Sequence, residues 1–188
     1  MTDSASTALL PASTWSQESK ETLSLALPLV AAFLGYQTIS LTDTIVSGRL
    51  GVNALAAVSL GSALYWATTI FPLGVLIGLD PQVSQAIGAG HPKRAWEACR
   101  RGVGLALVFS LFTAPLVWYL SEQGWPWSST QSLVTEGLSA YTLGRVWSVP
   151  LLLIHTCLRC FLQAHGRVKS ILLGTALANL INIPLSAY

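Results

Sequence analysis

Charged residues are scarce in this sequence. Asp, Glu, Lys and Arg make up 10% of its 188 residues, against about 25% in a typical soluble domain. So few charges could not cover the surface of a soluble domain of this size. The formal net charge of +2 excludes the basic face typical of nucleic-acid binders, so no nucleic-acid partner is predicted. Disorder is excluded for the bulk of the chain because disordered segments are poor in apolar residues. The class that remains is an integral membrane protein.

Motifs for catalysis and metal binding are also lacking. The sequence contains no G-x-S-x-G, no H-E-x-x-H and no phosphate-binding loop, so it is not predicted to be an enzyme. Cys157 and Cys160 form a C-x-x-C, but they lie inside an apolar run without a second pair of ligands. We interpret them as small apolar helix residues rather than as a redox or zinc site. Neither a metal centre nor a cofactor is predicted.

Long apolar runs dominate what is present. Hydrophobic residues make up 52% of the chain, and a membrane-spanning helix needs about 20 of them in succession. Five runs qualify, at about residues 23–47, 55–77, 103–120, 138–162 and 171–188. The sequence therefore predicts an all-α integral membrane fold with five transmembrane helices. The fifth run has no polar flank, which indicates the front part of a longer protein.

The remaining segment and the basic residues predict the orientation. Residues 1–21 are rich in Ser, Thr and Ala and lack the pattern of a cleaved signal, so we expect a flexible tail. Eight of the ten Lys and Arg residues fall on one predicted side of the membrane. By the positive-inside rule, that side and the N-terminus are cytoplasmic, in a multi-pass protein of the cell (inner) membrane. The eight are Lys20, Lys93, Arg94, Arg100, Arg101, Arg159, Arg167 and Lys169.

The first apolar run carries a polar face. Asp43 lies beside residues whose spacing of three, four and three keeps them on one side of a helix. A carboxylate inside an apolar span costs a few kcal/mol and normally faces a bundle interior or a wet cavity. The alternative is that Asp43 lies at the outer interface, paired with Arg49. The aligned residues are Gln37, Ser40, Thr44 and Ser47.

The fifth run has a matching polar face, made of Thr175, Asn179, Asn182 and Ser186. At 1.5 Å per residue, its last two members lie about 20 to 25 Å along the helix, at the depth of Asp43. Two such faces at one depth would enclose a hydrophilic chamber. The alternative is that these side chains join helices by hydrogen bonds, as Asn and Ser do in many membrane bundles.

Three further groups of polar residues lie in or near the spans. Tyr141, Arg145 and Ser148 form a polar face in the fourth run, which either joins the chamber or extends to the outer surface. Asp80 is predicted to serve turn or cap chemistry at the inner end of the second run. His155, Arg159 and Gln163 are expected to face lipid headgroups or an inner gate.

Four segments in collinear order resemble the multidrug and toxic compound extrusion (MATE) family, and in particular its bacterial NorM-like branch. They are LALPLVAAFLGYQTISLTDTIVSGRLGVNALAAVSLG, GLDPQVSQAIGAGHPKRA, RVWSVPLLLIHTCLRCFLQAHGRVK and NLINIPLSAY. They run from about Leu23 to Tyr188.

The resemblance implies a transporter of twelve helices in two six-helix lobes, which exports drugs and organic cations in exchange for H⁺ or Na⁺. Residues 22–188 would form part of the N-terminal lobe, with the C-terminal lobe and the lipid bilayer as its partners. Asp43 matches the family's first-helix aspartate, implicated in ion coupling. Pro28 matches the proline where that helix is proposed to bend, and Asn182 a chamber-lining asparagine. Ser186 departs from the Asp or Asn of relatives.

These correspondences define the expected site. Asp43 is expected to couple the ion, with Asn182 as a further oxygen ligand if that ion is Na⁺. The chamber is expected to include Gln37, Ser40, Thr44, Tyr141, Arg145, Asn179, Asn182 and Ser186. The alternatives are an inactive fragment or membrane scaffold that lacks the second lobe, and a flippase for lipid-linked substrates. The flippase would favour a more cationic cavity.

Overall fold

The computed structural model describes residues 15–122 and 132–186, and these fold into seven α-helices without a strand. An all-α fold is therefore confirmed for the described part of the chain. The helices are α1 (Trp15–Arg49), α2 (Val52–Ile77), α3 (Leu79–Gly88), α4 (Pro92–Glu122), α5 (Ser132–Val146), α6 (Ser148–Ala164) and α7 (Val168–Ser186).

The helices extend beyond the apolar runs that predicted them. Because α1 begins at Trp15, residues 15–21 are helical, whereas the sequence analysis assigned them to a flexible tail. Helix α4 begins at Pro92 rather than near residue 103. Its first turns bury Ala95 and Cys99 while the neighbouring Arg100 is exposed, so the polar stretch continues the helix by packing one face. Residues 1–14 lie outside the described part.

Fewer helices reach spanning length than the five predicted. Among the described residues, three stretches are long and apolar enough to cross a membrane: Thr22–Arg49, Val52–Gly88 and Pro92–Glu122. The pair α5 and α6 adds a fourth if it is counted as one broken span. The predicted fifth span corresponds to α7, where the described apolar stretch, Val168–Ile181, is shorter.

Proline separates α5 from α6 but does not end α1. The two helices are bent by 44° at Trp147, three residues before Pro150. Proline lacks the N–H that would bond to the carbonyl of Val146 and its ring crowds that carbonyl, so the helix breaks there. Helix α1 continues without interruption through Pro28, so the hinge expected at that position stays a prediction.

Two glycine turns connect α3 to α4 and α6 to α7 in the same way. Gly90 and Gly166 have φ of 73° and 68°, in the left-handed region that favours glycine. The following amides, of His91 and Arg167, bond back to the carbonyls of Ala86 and Leu162 at 2.8 and 3.0 Å. This is the Schellman arrangement. It explains why both turns carry a glycine. Basic residues follow each turn, Lys93 and Arg94 after the first and Arg167 and Lys169 after the second, and we call this end of the bundle its basic end.

The helices pack as a body of five, α2 to α6, with α1 and α7 attached to it as a pair. Helix α4 packs against α6, α3, α2 and α5, while α1 packs mainly against α7. The core of the larger body is made of small and branched side chains that let the helices approach closely, including Ala95, Ala106, Val117, Val149 and Leu153. Gly102 accepts the Leu79 side chain where a Cβ would collide with it.

The outer surface of the described helices is apolar. Exposed side chains include Ile70, Phe71, Leu111 and Phe112, each at least two-thirds exposed, and Leu180 at 74%. Water would disfavour so much uncovered apolar area. Together with the spanning lengths, this surface defines a multi-pass membrane protein whose outer face contacts lipid.

Candidate functional site

Arg145 is held between two tyrosines at the end of α5. Its guanidinium lies over the Tyr65 ring, with Cζ 4.8 Å from the ring centroid, and 5.5 Å from the centroid of Tyr141. It also donates a hydrogen bond to the Tyr141 hydroxyl. The ring faces are negative, so both contacts stabilise the cation. Arg145 therefore contacts α2 as well as its own helix, and its role in a chamber stays a prediction.

Two serines fix the tyrosines. Ser62 on α2 and the Tyr141 hydroxyl are 2.9 Å apart, and the Tyr65 hydroxyl is 3.0 Å from the Ser148 hydroxyl. Ser148 also donates to the carbonyl of Arg145 at 2.6 Å. These five residues, which we call the arginine–tyrosine cluster, join α2, α5 and α6. They are Ser62, Tyr65, Tyr141, Arg145 and Ser148.

A glycine makes room for the cluster. A Cβ built at Gly61 would lie 2.5 Å from the Tyr141 ring, so a larger residue there would displace the ring. Sequence analysis missed Ser62 and Tyr65, because a lone Ser and an aromatic residue in an apolar run are typical of lipid-facing or core helices. The signal that was available is the spacing of Gly61, Ser62 and Tyr65 on one face of α2.

Asp43 interacts electrostatically with this cluster. It is half-buried on α1, and the charge of Arg145 acts on its carboxylate. The sequence also allowed a pair with Arg49, which is an exposed residue in the last turn of α1. The cluster therefore supplies a positive charge that acts on Asp43. It belongs to the five-helix body, while Asp43 belongs to the attached pair.

The rest of the polar face of α1 is spread over the surface. Gln37, Ser40 and Thr44 are exposed, whereas Ser47 is buried. The Thr44 hydroxyl donates to the carbonyl of Ser40 at 2.9 Å, and Ser47 donates to that of Asp43. Such bonds use the hydroxyl proton but leave oxygen lone pairs to accept. The roles of Gln37, Ser40 and Thr44 in a chamber stay a prediction.

The polar face of α7 contacts α1. The side-chain amide of Asn179 donates to the carbonyl oxygens of Gly35 and Thr175, both at 3.0 Å. Its own oxygen, Oδ1, is buried without a hydrogen-bond partner among the described residues. Asn179 thus joins helices, as the alternative interpretation proposed, and keeps one acceptor free. The side chains of Asn182 and Ser186 lie outside the described part of the chain.

A second set of contacts links α1 to α6 nearer the basic end. The Tyr36 hydroxyl is 3.0 Å from Nε2 of His155, and the two rings meet edge to face. The guanidinium of Arg159 lies 5.8 Å from the centre of the Phe33 ring. His155 and Arg159 therefore contact α1, whereas the sequence suggested headgroups or an inner gate. Asp80 occupies the first turn of α3.

A comparison with protein family models identifies the family of this chain. The MatE family model matches residues 28–188, which is most of the chain and includes α2 to α7 and all of the arginine–tyrosine cluster. The chain therefore belongs to the MATE family, the family of multidrug and toxic compound extrusion proteins.

Curated relatives carry multidrug resistance names. The chain is 33% identical over 177 residues to a Deinococcus radiodurans protein named "probable multidrug resistance protein NorM", covering 92% of this chain and 38% of the relative. It is 28% identical over 162 residues to a protein of the same name from Neisseria meningitidis, covering 86% and 35%. A Pseudomonas aeruginosa protein, "multidrug resistance protein PmpM", is 28% identical over 170 residues, covering 90% and 35%.

The chain is much shorter than these relatives. It spans little more than a third of the length of these relatives. No solved structure matches it.

Proposed function

We propose that this chain is part of the N-terminal lobe of a secondary active antiporter, which exports organic cations, drugs or toxic amphiphiles in exchange for H⁺ or Na⁺. The observation that carries the proposal is Asp43, a half-buried carboxylate in an apolar helix, on which the charge of Arg145 acts. Membership of the MATE family and the relatives' names support the transport class.

The coupling step follows from the charges. When Asp43 is ionised, its attraction to Arg145 draws α1 towards the five-helix body. A proton or Na⁺ on the carboxylate cancels that attraction, because the carboxylate's charge is neutralised or shared with the ion. Arg145 itself stays in place, since two tyrosine rings and the Tyr141 hydroxyl hold it. The occupancy of Asp43 thereby changes the balance between two positions of the α1–α7 pair.

Export also needs the ion and the substrate to exclude each other. A cationic substrate and a proton, or Na⁺, compete for the single Asp43 carboxylate. Sodium would find further oxygen ligands on Ser40 and Thr44, and on Asn182 if its side chain points the same way. The chain belongs in the cell membrane with its basic end in the cytoplasm, according to the positive-inside rule.

The flippase alternative needs free cations in the cavity to bind a pyrophosphate. Here Arg145 is engaged by two tyrosines and by Asp43, and Arg159 lies against Phe33. Both guanidiniums lie over aromatic rings, and two cations are few for a pyrophosphate, so we favour the cation exporter.

The test is ethidium efflux by the native protein, with Asp43→Asn compared to Glu122→Gln. Glu122 is an exposed carboxylate at the end of α4, so its variant is a matched control for charge loss. We expect Asp43→Asn to abolish efflux driven by a pH or Na⁺ gradient at equal expression, and Glu122→Gln to retain it. Normal efflux by Asp43→Asn would refute the coupling role.

A second measurement separates the antiporter from an inactive fragment or scaffold. The mass of the native membrane protein, sized in its own cells, should be more than twice that of this chain if the second lobe is present. A band at the mass of this chain leaves the transport proposal standing only if the chain assembles with a partner half.

A further inference from the structure

A cavity opens at the basic end of the bundle, on the side away from Asp43. It lies between α1, α3, α6 and the start of α7, and its volume is about 590 Å³. Pockets for small organic molecules have volumes of roughly 300 to 1,000 Å³, so the space suits such a molecule. Its lining includes Thr22, Leu29, Asp80, Ser84, Gln163 and Val168.

The polar side chains that line this cavity are one carboxylate, two hydroxyls and one amide, and each of them has an oxygen that can accept a hydrogen bond. Asp80 and Ser84 lie on one face of α3, one turn apart, so the carboxylate and the hydroxyl face the same space. Across from them, Oε1 of Gln163 is fully buried and has no hydrogen-bond partner within the described residues. A buried amide oxygen without a donor is unfavourable. Among the described residues of the lining, the Asp80 carboxylate is the group whose negative charge a bound cation would balance.

The groups around the Asp80 carboxylate are a thiol and several basic side chains that lie outside the described cavity lining. The Asp80 carboxylate accepts a hydrogen bond from the Cys160 thiol, and its other lone pairs can still accept. The Arg159 guanidinium, which also acts on Cys160, lies over Phe33. No lysine or arginine is among the described residues that line the cavity. Arg167 and Lys169 are solvent-exposed at this end, where salt screens their charges.

The rest of the wall is apolar. Ala26 and Leu29 of α1 and Val168 of α7 face the carboxylate side. The cavity thus combines one anionic group, further oxygen acceptors and an apolar wall. This combination is complementary to a molecule that has one positive charge and an apolar body. A small inorganic cation would leave most of 590 Å³ unfilled.

We propose that this cavity is a second cation site, separate from Asp43, that binds amphiphilic organic cations through Asp80, Ser84 and Gln163. The inference rests on the proposed export function, for which it supplies an entry site at the basic end. It also gives a role to two sequence segments that the coupling site leaves unused, GLDPQVSQ and RCFLQAHG, which the fold brings together here.

Site protection tests the location directly. The probe is tetraphenylphosphonium, with the protein in nanodiscs of phosphatidylcholine, a lipid without net charge. Ser84→Cys puts a thiol in the cavity wall, and Glu97→Cys puts one on the exposed face of α4. The native cysteines are buried and unmodified, so the maleimide reaction reports the new thiols. We expect the probe to slow labelling of Ser84→Cys several-fold and to leave Glu97→Cys unchanged.

Binding variants test the chemistry. Asp80→Asn should weaken probe binding about tenfold, equivalent to the loss of one favourable charge interaction. Gln163→Leu should weaken it less, and Glu97→Gln should bind as the unmodified protein does. Size-exclusion chromatography checks that each variant is folded, and the protection experiment does not depend on the Asp80 or Gln163 variants.

Each outcome decides the proposal. Labelling of Ser84→Cys at one rate with and without the probe overturns it. Protection by Na⁺ but not by tetraphenylphosphonium also overturns it, since the site would then belong to a small cation. If Asp43→Asn transports normally while the probe still protects Ser84→Cys, the coupling proposal fails and the second site stands. If Ser84→Cys is unprotected while Asp43→Asn abolishes efflux, the reverse holds.

Discussion

Asn179 on α7 donates a 3.0 Å hydrogen bond to the carbonyl oxygen of Gly35 on α1. The bond requires a close approach, because a Cβ at Gly35 would lie 2.7 Å from Cγ2 of Thr175. Small residues allow this approach in membrane helices, and the polar side chain then bonds across the interface. The α1–α7 pair, which carries Asp43, is held together at this point.

The first prediction concerns that contact. Gly35→Ala should lower the free energy of unfolding by about 1–3 kcal/mol, because the added methyl overpacks the interface. Thr175→Ser removes Cγ2, so the double variant should recover most of the loss. Thermal denaturation in detergent measures both. Gly174→Ala, where nothing lies within 4 Å of an added Cβ, is the matched control and should not destabilise; equal losses at Gly35 and Gly174 would contradict the packing account.

The second prediction concerns Arg145. Arg145→Gln should destabilise the protein by about 1–3 kcal/mol, since it leaves Asp43 and the two tyrosines without their cation. Arg145→Lys keeps the charge but loses the planar group, so we expect an intermediate loss. In a double-mutant cycle, Asp43→Asn with Arg145→Gln should cost less than the sum of the single changes. Strict additivity would show that the two residues do not interact.

The third prediction concerns the bend between α5 and α6. Pro150→Ala restores the N–H that can bond to the carbonyl of Val146, and should straighten the break at Trp147. Spin labels at Glu136→Cys and His165→Cys, both exposed positions, report the change by pulsed electron resonance. From a rise of 1.5 Å per residue, a straight helix would lengthen the label distance by about 3 Å. An unchanged distance would assign the bend to packing rather than to proline.

The fourth prediction concerns the contact between α1 and α6. Tyr36→Phe removes the hydroxyl that lies 3.0 Å from His155 and should cost about 1 kcal/mol of stability. His155→Ala also removes the edge-to-face ring contact, so it should cost more. Thermal denaturation of the single and double variants compares them. Tyr119→Phe, an exposed tyrosine on α4, is the control and should have no effect.

Much of the fold was predictable from the sequence. Apolar runs predicted the helical stretches. Helix ends were predicted less well, because a hydropathy window excludes polar residues that continue a helix. Helix α4 therefore began at Pro92 rather than near residue 103, and α1 at Trp15.

The candidate site was predictable only in part. Asp43 and Arg145 were identified because charge in an apolar run is costly and so demands an explanation. Ser62 and Tyr65 were missed, since nothing about them is costly until they are placed beside Arg145. Asn179 was identified as polar, but its bond to the backbone of Gly35 has no sequence signature.

The sequence by itself determined that this is an all-α membrane protein, because composition and local periodicity depend on residues near in the chain. Its resemblance to the MATE family rested on four short segments, which are likewise local in the chain. Only the tertiary structure decided which polar groups meet. Asp43 and Arg145 are about a hundred residues apart in the chain, and Ser62 and Tyr141 are 79 apart; such pairs are set by how the helices pack. The same packing left Gln163 Oε1 without a donor near Asp80. Local pattern could not have predicted that cavity.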